Sequence, residues 1–106
     1  MSLFEENAAI LRKMESDGSD LGLPRVIDFS HVFPDRTSAN AFAGEVEKEG
    51  YATAVEEVER EEYRWDVTAS KQMAPTCGNI TNTEERLDAL ARSYQGRADG
   101  WGFFRL

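Results

Sequence analysis

The sequence is short of the residues from which most catalytic and metal centres are assembled. It has one cysteine, Cys77, and one histidine, His31. A lone thiol closes no internal disulfide, which fits a reducing, cytoplasmic setting. One His and one Cys leave only carboxylates to complete a zinc site. A cysteine nucleophile needs a base, yet His31 is far from Cys77 in sequence and neither sits in a nucleophile motif. Cys77 is expected in a loop just before a helix, as an incidental thiol. There is no P-loop or dinucleotide fingerprint, and Gly100-x-Gly102 is too short to stand for one. Asp17-Gly18-Ser19-Asp20 starts like a calcium loop but breaks at Gly22-Leu23-Pro24. No apolar run approaches the roughly 20 residues of a membrane span. Residues 2–14 carry Glu5, Glu6, Arg12 and Lys13, unlike a signal peptide. The expectation is a protein that is not an enzyme and takes no metal or cofactor.

What the chain does have is acid. Its 106 residues, one domain's worth, include 20 Asp and Glu against 12 Lys and Arg, a net charge of −8. Such a surface repels RNA and attracts basic protein segments. The charge is uneven: residues 45–62 hold eight Glu against Lys48 and Arg60. Two explanations stay open at this point. Charge on an edge strand stops it pairing with another molecule. It also suits an Arg/Lys-rich partner steered in electrostatically. Acid–base catalysis is not indicated, because it needs two carboxylate environments and a run of exposed glutamates provides one.

Hydrophobic periodicity divides the chain into elements. Phe4, Ala8, Leu11 and Met14 mark one face of a helix over residues 3–15, with Ser2 and Glu5 at capping-box spacing and Gly18 as its left-handed stop. Residues 25–33 alternate, with Ile27, Phe29, His31 and Phe33 on one side and Val26, Asp28, Ser30 and Val32 on the other. Asp35 or Ser38 caps a helix carrying Ala39, Phe42, Ala43 and Val46, closed by Gly50. Strands at 51–58 and 64–70 pair as a hairpin through 59–62. Thr81 and Glu84 have capping-box spacing before a third helix lined by Ile80, Thr83, Leu87, Leu90, Ala91 and Tyr94 and closed by Gly96. Asp99-Gly100 reads as a turn into a short strand, with Trp101 and Phe103 toward the core and Phe104 and Leu106 on the other side.

The order is α, then β-α-β-β-α-β. This predicts an α+β, ferredoxin-like sandwich: two helices on one face of a four-stranded antiparallel sheet of order 4-1-3-2, preceded by an extra N-terminal helix. The domain is taken as 1–106, with helix and turn in 1–20 and the core in 25–106. The open sheet face is expected to show Asp28, Ser30, Asp66 and Thr68. That is unlike an RNA-binding sheet, which carries aromatic and basic residues. The first helix either lies across this face or buries Phe4, Ala8 and Leu11 against a second chain, so both monomer and homodimer remain open.

Several spaced features coincide: the leading helix ending in Asp17-Gly18, the strand from Arg25 to Phe33 followed by Ala39 and Phe42, Gly50-Tyr51, Trp65-x-Val67, the Ile80-Thr81…Leu90-Ala91 helix, and the closing Asp99-Gly100-Trp101-Gly102. Together they resemble the RraB family, protein regulators of ribonuclease E activity, over nearly the whole chain. The resemblance implies a ferredoxin-like sandwich in the cytoplasm. It also implies a protein that binds ribonuclease E, or a related basic RNA-processing protein, and restrains RNA processing without cutting RNA or using a cofactor. Candidate partner-binding residues are Glu56, Glu57, Glu59, Glu61 and Glu62 of the acidic hairpin, with Asp99 and Trp101 of the closing segment. The competing reading is a small, possibly dimeric, ligand-binding module of the same fold.

Overall fold

The computed structural model describes residues 2–18 and 22–103. The expected placements of Ser19, Asp20, Phe104 and Leu106 lie outside these. Three helices and four strands follow in the order α1 (Leu3–Ser16), β1 (Arg25–Phe33), α2 (Arg36–Lys48), β2 (Ala52–Glu57), β3 (Trp65–Met73), α3 (Cys77–Arg92) and β4 (Arg97–Phe103). The strands form one antiparallel sheet, β2-β3-β1-β4, which from the other edge is the expected 4-1-3-2.

Local chemistry accounts for most boundaries. Ser2 accepts the Glu5 N–H at 3.1 Å and Asp35 accepts the Ser38 N–H at 2.8 Å, each satisfying an amide that the helix leaves open. Gly18 and Gly50 follow the first two helices at positive φ, +96° and +94°. The alternation of β1 turns Ile27, Phe29, His31 and Phe33 to the helices, while Ala39, Phe42, Ala43 and Val46 of α2 are buried against them. The Phe33 and Phe42 rings meet at 4.9 Å between centroids. Burying each such side chain contributes about 1.5–3 kcal/mol.

Five expectations give way. Thr81 and Glu84 are not a capping box. The cap of α3 is Thr76, which accepts the Asn79 N–H at 3.1 Å, so Thr81 and Glu84 lie inside the helix and are buried. Cys77 is accordingly the first helical residue rather than part of a loop. The buried face of α1 is centred on Asn7 and Leu11, whereas Phe4 is 52% exposed. Moreover, α1 does not cross the open sheet face but packs beside α3. Lastly, Asp99-Gly100 is no turn. Both belong to β4, where the register against β1 shifts between Ser30 and His31 and Gly100 takes φ +118°. This is a bulge that leaves Asp99 without a cross-strand partner.

The α3–β4 connection is also tighter than a glycine stop. Gln95, not Gly96, holds the left-handed conformation, at φ +67°. Gly96 is required by space: a Cβ there would sit 2.3 Å from the Phe33 ring and 2.6 Å from the Val32 carbonyl oxygen.

Candidate protein-docking site

The acidic segment divides into two parts. On α2 the glutamates are engaged. Glu45 pairs with Lys48 at 3.3 Å, Glu47 accepts from the Thr53 hydroxyl at 2.5 Å, and Glu49 meets the Arg86 guanidinium at 2.6 Å. At the β2–β3 hairpin they are not. Glu56, Glu57, Glu59, Glu61 and Glu62 are all exposed, and among the described residues only Glu57 has a cation near it, Arg64 at 3.9 Å. Arg60, the other hairpin cation, is turned inward: it donates to the Tyr63 carbonyl at 3.1 and 2.7 Å and pairs with Asp66.

That inward turn shapes the end of the sheet. Tyr63, at φ +52°, lies under the Arg97 guanidinium, 4.8 Å from its ring centroid. Val32, Arg60, Glu62, Tyr63, Arg97 and Asp99 line one shallow depression, and Val32, although on the open face, is only 3% exposed. The hairpin thus folds back over the end of β1 and brings Glu62 and Asp99 to a common rim. Six of the seven candidate residues therefore gather at one end of the molecule.

Trp101 does not join them. It is half-buried on the helix side of β4, and its indole N–H donates to Asn7 Oδ1 at 2.9 Å. The Asn7 amide in turn donates to Glu84 Oε1 at 2.9 Å and Thr81 Oγ1 at 3.0 Å. One asparagine, 2% exposed, thereby joins α1, α3 and β4. Burial pushes the Glu84 carboxyl above its usual range, the Asn7 hydrogen bond opposes this, and the charges of Glu6, Asp88 and Glu85 add to it. Periodicity missed Asn7 because it credits only apolar residues. The available signal was Leu3, Asn7 and Leu11 at i, i+4, i+8, facing a mid-helix Thr81/Glu84 pair.

The two residues weighed for chemistry are apart from this surface and from each other's function. The Cys77 thiol donates to the Phe4 carbonyl at 3.1 Å and lies 3.8 Å from the Thr81 hydroxyl, neither of which is a base that would activate it. His31 is 1% exposed with its ring 4.8 Å from Phe42, and its Nδ1 has no hydrogen-bond partner among the described residues. Desolvation lowers its pKa to about 4, against smaller opposing effects from the Val67 and Phe29 backbone and from Asp88 and Asp99. Among the described residues no three His, Cys, Asp or Glu are grouped so as to hold a metal, and no helix is long and apolar enough to cross a membrane.

The open sheet face presents Asp28, Ser30, Asp66 and Thr68, with the Ser70 hydroxyl donating to Asp28 at 2.6 Å. Among the described residues it offers bases no aromatic platform of the kind RNA-binding sheets use. What the geometry supplies is a cation-attracting protein surface. No curated protein is matched by the sequence. The family RraB, described as regulator of ribonuclease activity B, matches residues 4–103, which is nearly the whole chain. On that match, the chain belongs to the RraB family.

Proposed function

We propose that this chain is a non-catalytic regulator that acts by binding a basic protein, ribonuclease E or another basic RNA-processing protein, through the acidic end of its sheet. The family is one of ribonuclease regulators, a role that asks for binding rather than turnover. The observation that carries the surface assignment is that, among the described residues, Glu56, Glu59, Glu61 and Glu62 have no cationic partner, whereas Glu45 and Glu49 pair with Lys48 and Arg86 and Glu47 accepts from the Thr53 hydroxyl. Charges already satisfied internally gain little from a partner; unsatisfied exposed ones retain their full attraction. The β-α-β-β-α-β unit is read as a ferredoxin-like sandwich, cytoplasmic and without a cofactor. It is read as a monomer, because α1 finds its burial against its own α3.

The test is capture of purified ribonuclease E by the purified domain at low and high salt, with the E56K/E57K/E59K variant beside it. Binding is expected to weaken with salt and to fall at least about tenfold in the variant, since each reversed charge replaces attraction with repulsion. Retention unchanged by both would remove the acidic end from the interface. The ligand-module reading is not favoured: the depressions bordered by Glu49, Arg86 and Leu90 and by Tyr51, Lys71 and Met73 are open and mixed in polarity, unlike an apolar ligand pocket.

A further inference from the structure

The two edges of the sheet are finished differently. On β4 the bulge at Asp99 and the left-handed Gly100 break the row of backbone groups that another strand would need. On β2 nothing does. Its six residues contain no proline, no glycine and no register shift against β3.

The direction of the β2 backbone groups follows from the hairpin. Val58 N–H donates to the Arg64 carbonyl at 2.7 Å. Antiparallel hydrogen-bonded pairs recur at every second residue. Glu56↔Asp66, Ala54↔Thr68 and Ala52↔Ser70 are therefore the bonded pairs, and the N–H and C=O groups of Thr53, Val55 and Glu57 point outward from the free edge. Side chains alternate between the two faces of the sheet with the same two-residue period. Glu56 shares the open face with Asp66, and Glu57 shares the helix face with Trp65. The carboxylates thus flank the outward backbone row on both faces of the sheet.

We propose that β2 is a strand-addition site, on which an extended, basic segment of a partner protein pairs as a fifth strand. The proposal rests on the protein-binding reading above and specifies how that binding is made. Backbone hydrogen bonds to Thr53, Val55 and Glu57 supply the pairing, and charge selects the occupant. The segment opposite Ala52–Val55 is neutral and strand-forming, and the residues opposite Glu56 and Glu57 and beyond are Arg or Lys. A second copy of β2 is disfavoured as occupant, because parallel in-register pairing sets Glu56 and Glu57 against themselves, and antiparallel pairing sets them against Ala52 and Thr53, which offer no cation. The same charges that keep the edge from pairing with itself admit a strand of opposite sign, so the two explanations of the acidic hairpin become one.

The probe is a short synthetic peptide of four alternating Thr and Val residues followed by four Arg and Lys residues, together with its reversed sequence. Each is made unmodified and with backbone N-methyl groups on either alternate set of residues. Affinity is read by fluorescence anisotropy, and amide hydrogen exchange of the full chain is followed residue by residue. One of the two sequences is expected to bind. Exchange is expected to slow at Thr53, Val55 and Glu57, and one N-methylation phase is expected to lose at least about tenfold in affinity while the other loses little, the amount of one or two edge hydrogen bonds. Equal tolerance of both phases, or exchange unchanged at those three amides, would overturn strand addition. Salt-sensitive capture of the whole ribonuclease, persisting in the face of either result, would leave the basic-partner reading standing by itself. Peptide binding with the expected pattern but no capture would do the reverse.

Discussion

Acidification tests the core through His31. Its imidazole is neutral at pH 7 in both folded and unfolded chains, so it costs nothing there by ionisation. Below pH 6.5 the unfolded chain takes up a proton that the folded chain refuses until about pH 4. A base whose folded pKa is depressed makes stability fall as pH falls across that window, by about 1.4 kcal/mol per pH unit. The interval from 6.5 to about 4 corresponds to a loss of about 3 kcal/mol. For a domain whose whole stability is on the order of 5–15 kcal/mol, that is a large fraction. Carboxylates titrate over part of the same range. Glu84, raised by burial, acts in the opposite sense. Asp88 acts in the same sense at lower pH: burial raises its pKa, but hydrogen bonds from Ala98 and Arg92 outweigh that and hold it low. The His31 contribution is therefore isolated by difference, using urea unfolding of the parent chain and His31→Phe. The replacement keeps an aromatic ring among Phe29, Phe33 and Phe42 and removes both the titration and the unpartnered Nδ1. Relative to the variant, the parent should lose about 2 kcal/mol between about pH 6.5 and about pH 5. A parent–variant difference that stays constant over that interval would show that His31 is not held neutral by its surroundings, and the argument from its burial would fail.

Other perturbations address single features. Asn7→Ala removes three hydrogen bonds and leaves Glu84 and Trp101 short of partners, so it should cost about 2–4 kcal/mol in urea unfolding. In a double-mutant cycle with Trp101→Phe the two losses should be sub-additive by more than about 0.5 kcal/mol; simple additivity would mean that the junction does not act as a unit. Gly96→Ala should destabilise by about 1–3 kcal/mol, because the new methyl group meets the Phe33 ring and the Val32 carbonyl. Thr76→Ala should cost about 1 kcal/mol through loss of the α3 cap, while exposed Thr37→Ala, which caps nothing, should stay within about 0.5 kcal/mol.

The parts of the fold that could be read from the sequence are those set by short-range pattern. Strand alternation in Ile27, Phe29, His31 and Phe33 and the helical spacing of Ala39, Phe42, Ala43 and Val46 fixed which faces are buried, and the cap residues Ser2 and Asp35 fixed two helix starts. The start of α3 was misread because Thr81 and Glu84 sit at i, i+3, the spacing of a capping box and equally of two neighbours on one helical face. Only the tertiary contact with Asn7 decides between them. Phe4 was credited to the core on hydrophobicity, yet the amide at position 7 holds the inward position because it meets acceptors from α3 and a donor from β4. The acidic hairpin was visible as composition. That the α2 glutamates are engaged and the hairpin ones are not depends on Arg86, Lys48 and Thr53 reaching the former, and no charge count records that.

The Asn7 junction also bears on the order in which the chain acquires its shape. Its hydrogen bonds span sequence separations of 74, 77 and 94 residues, so the first helix is fastened by groups near the other end of the polypeptide. Such distant contacts become worthwhile only after the intervening chain is compact, since the entropy of closing so long a loop must first be met. During synthesis α1 leaves the ribosome well before its anchors in α3 and β4 are made. A helix translated ahead of its anchors is in this sense seated only after them. Until β4 emerges, the apolar side chains of α1 remain open to chaperones and to neighbouring nascent chains.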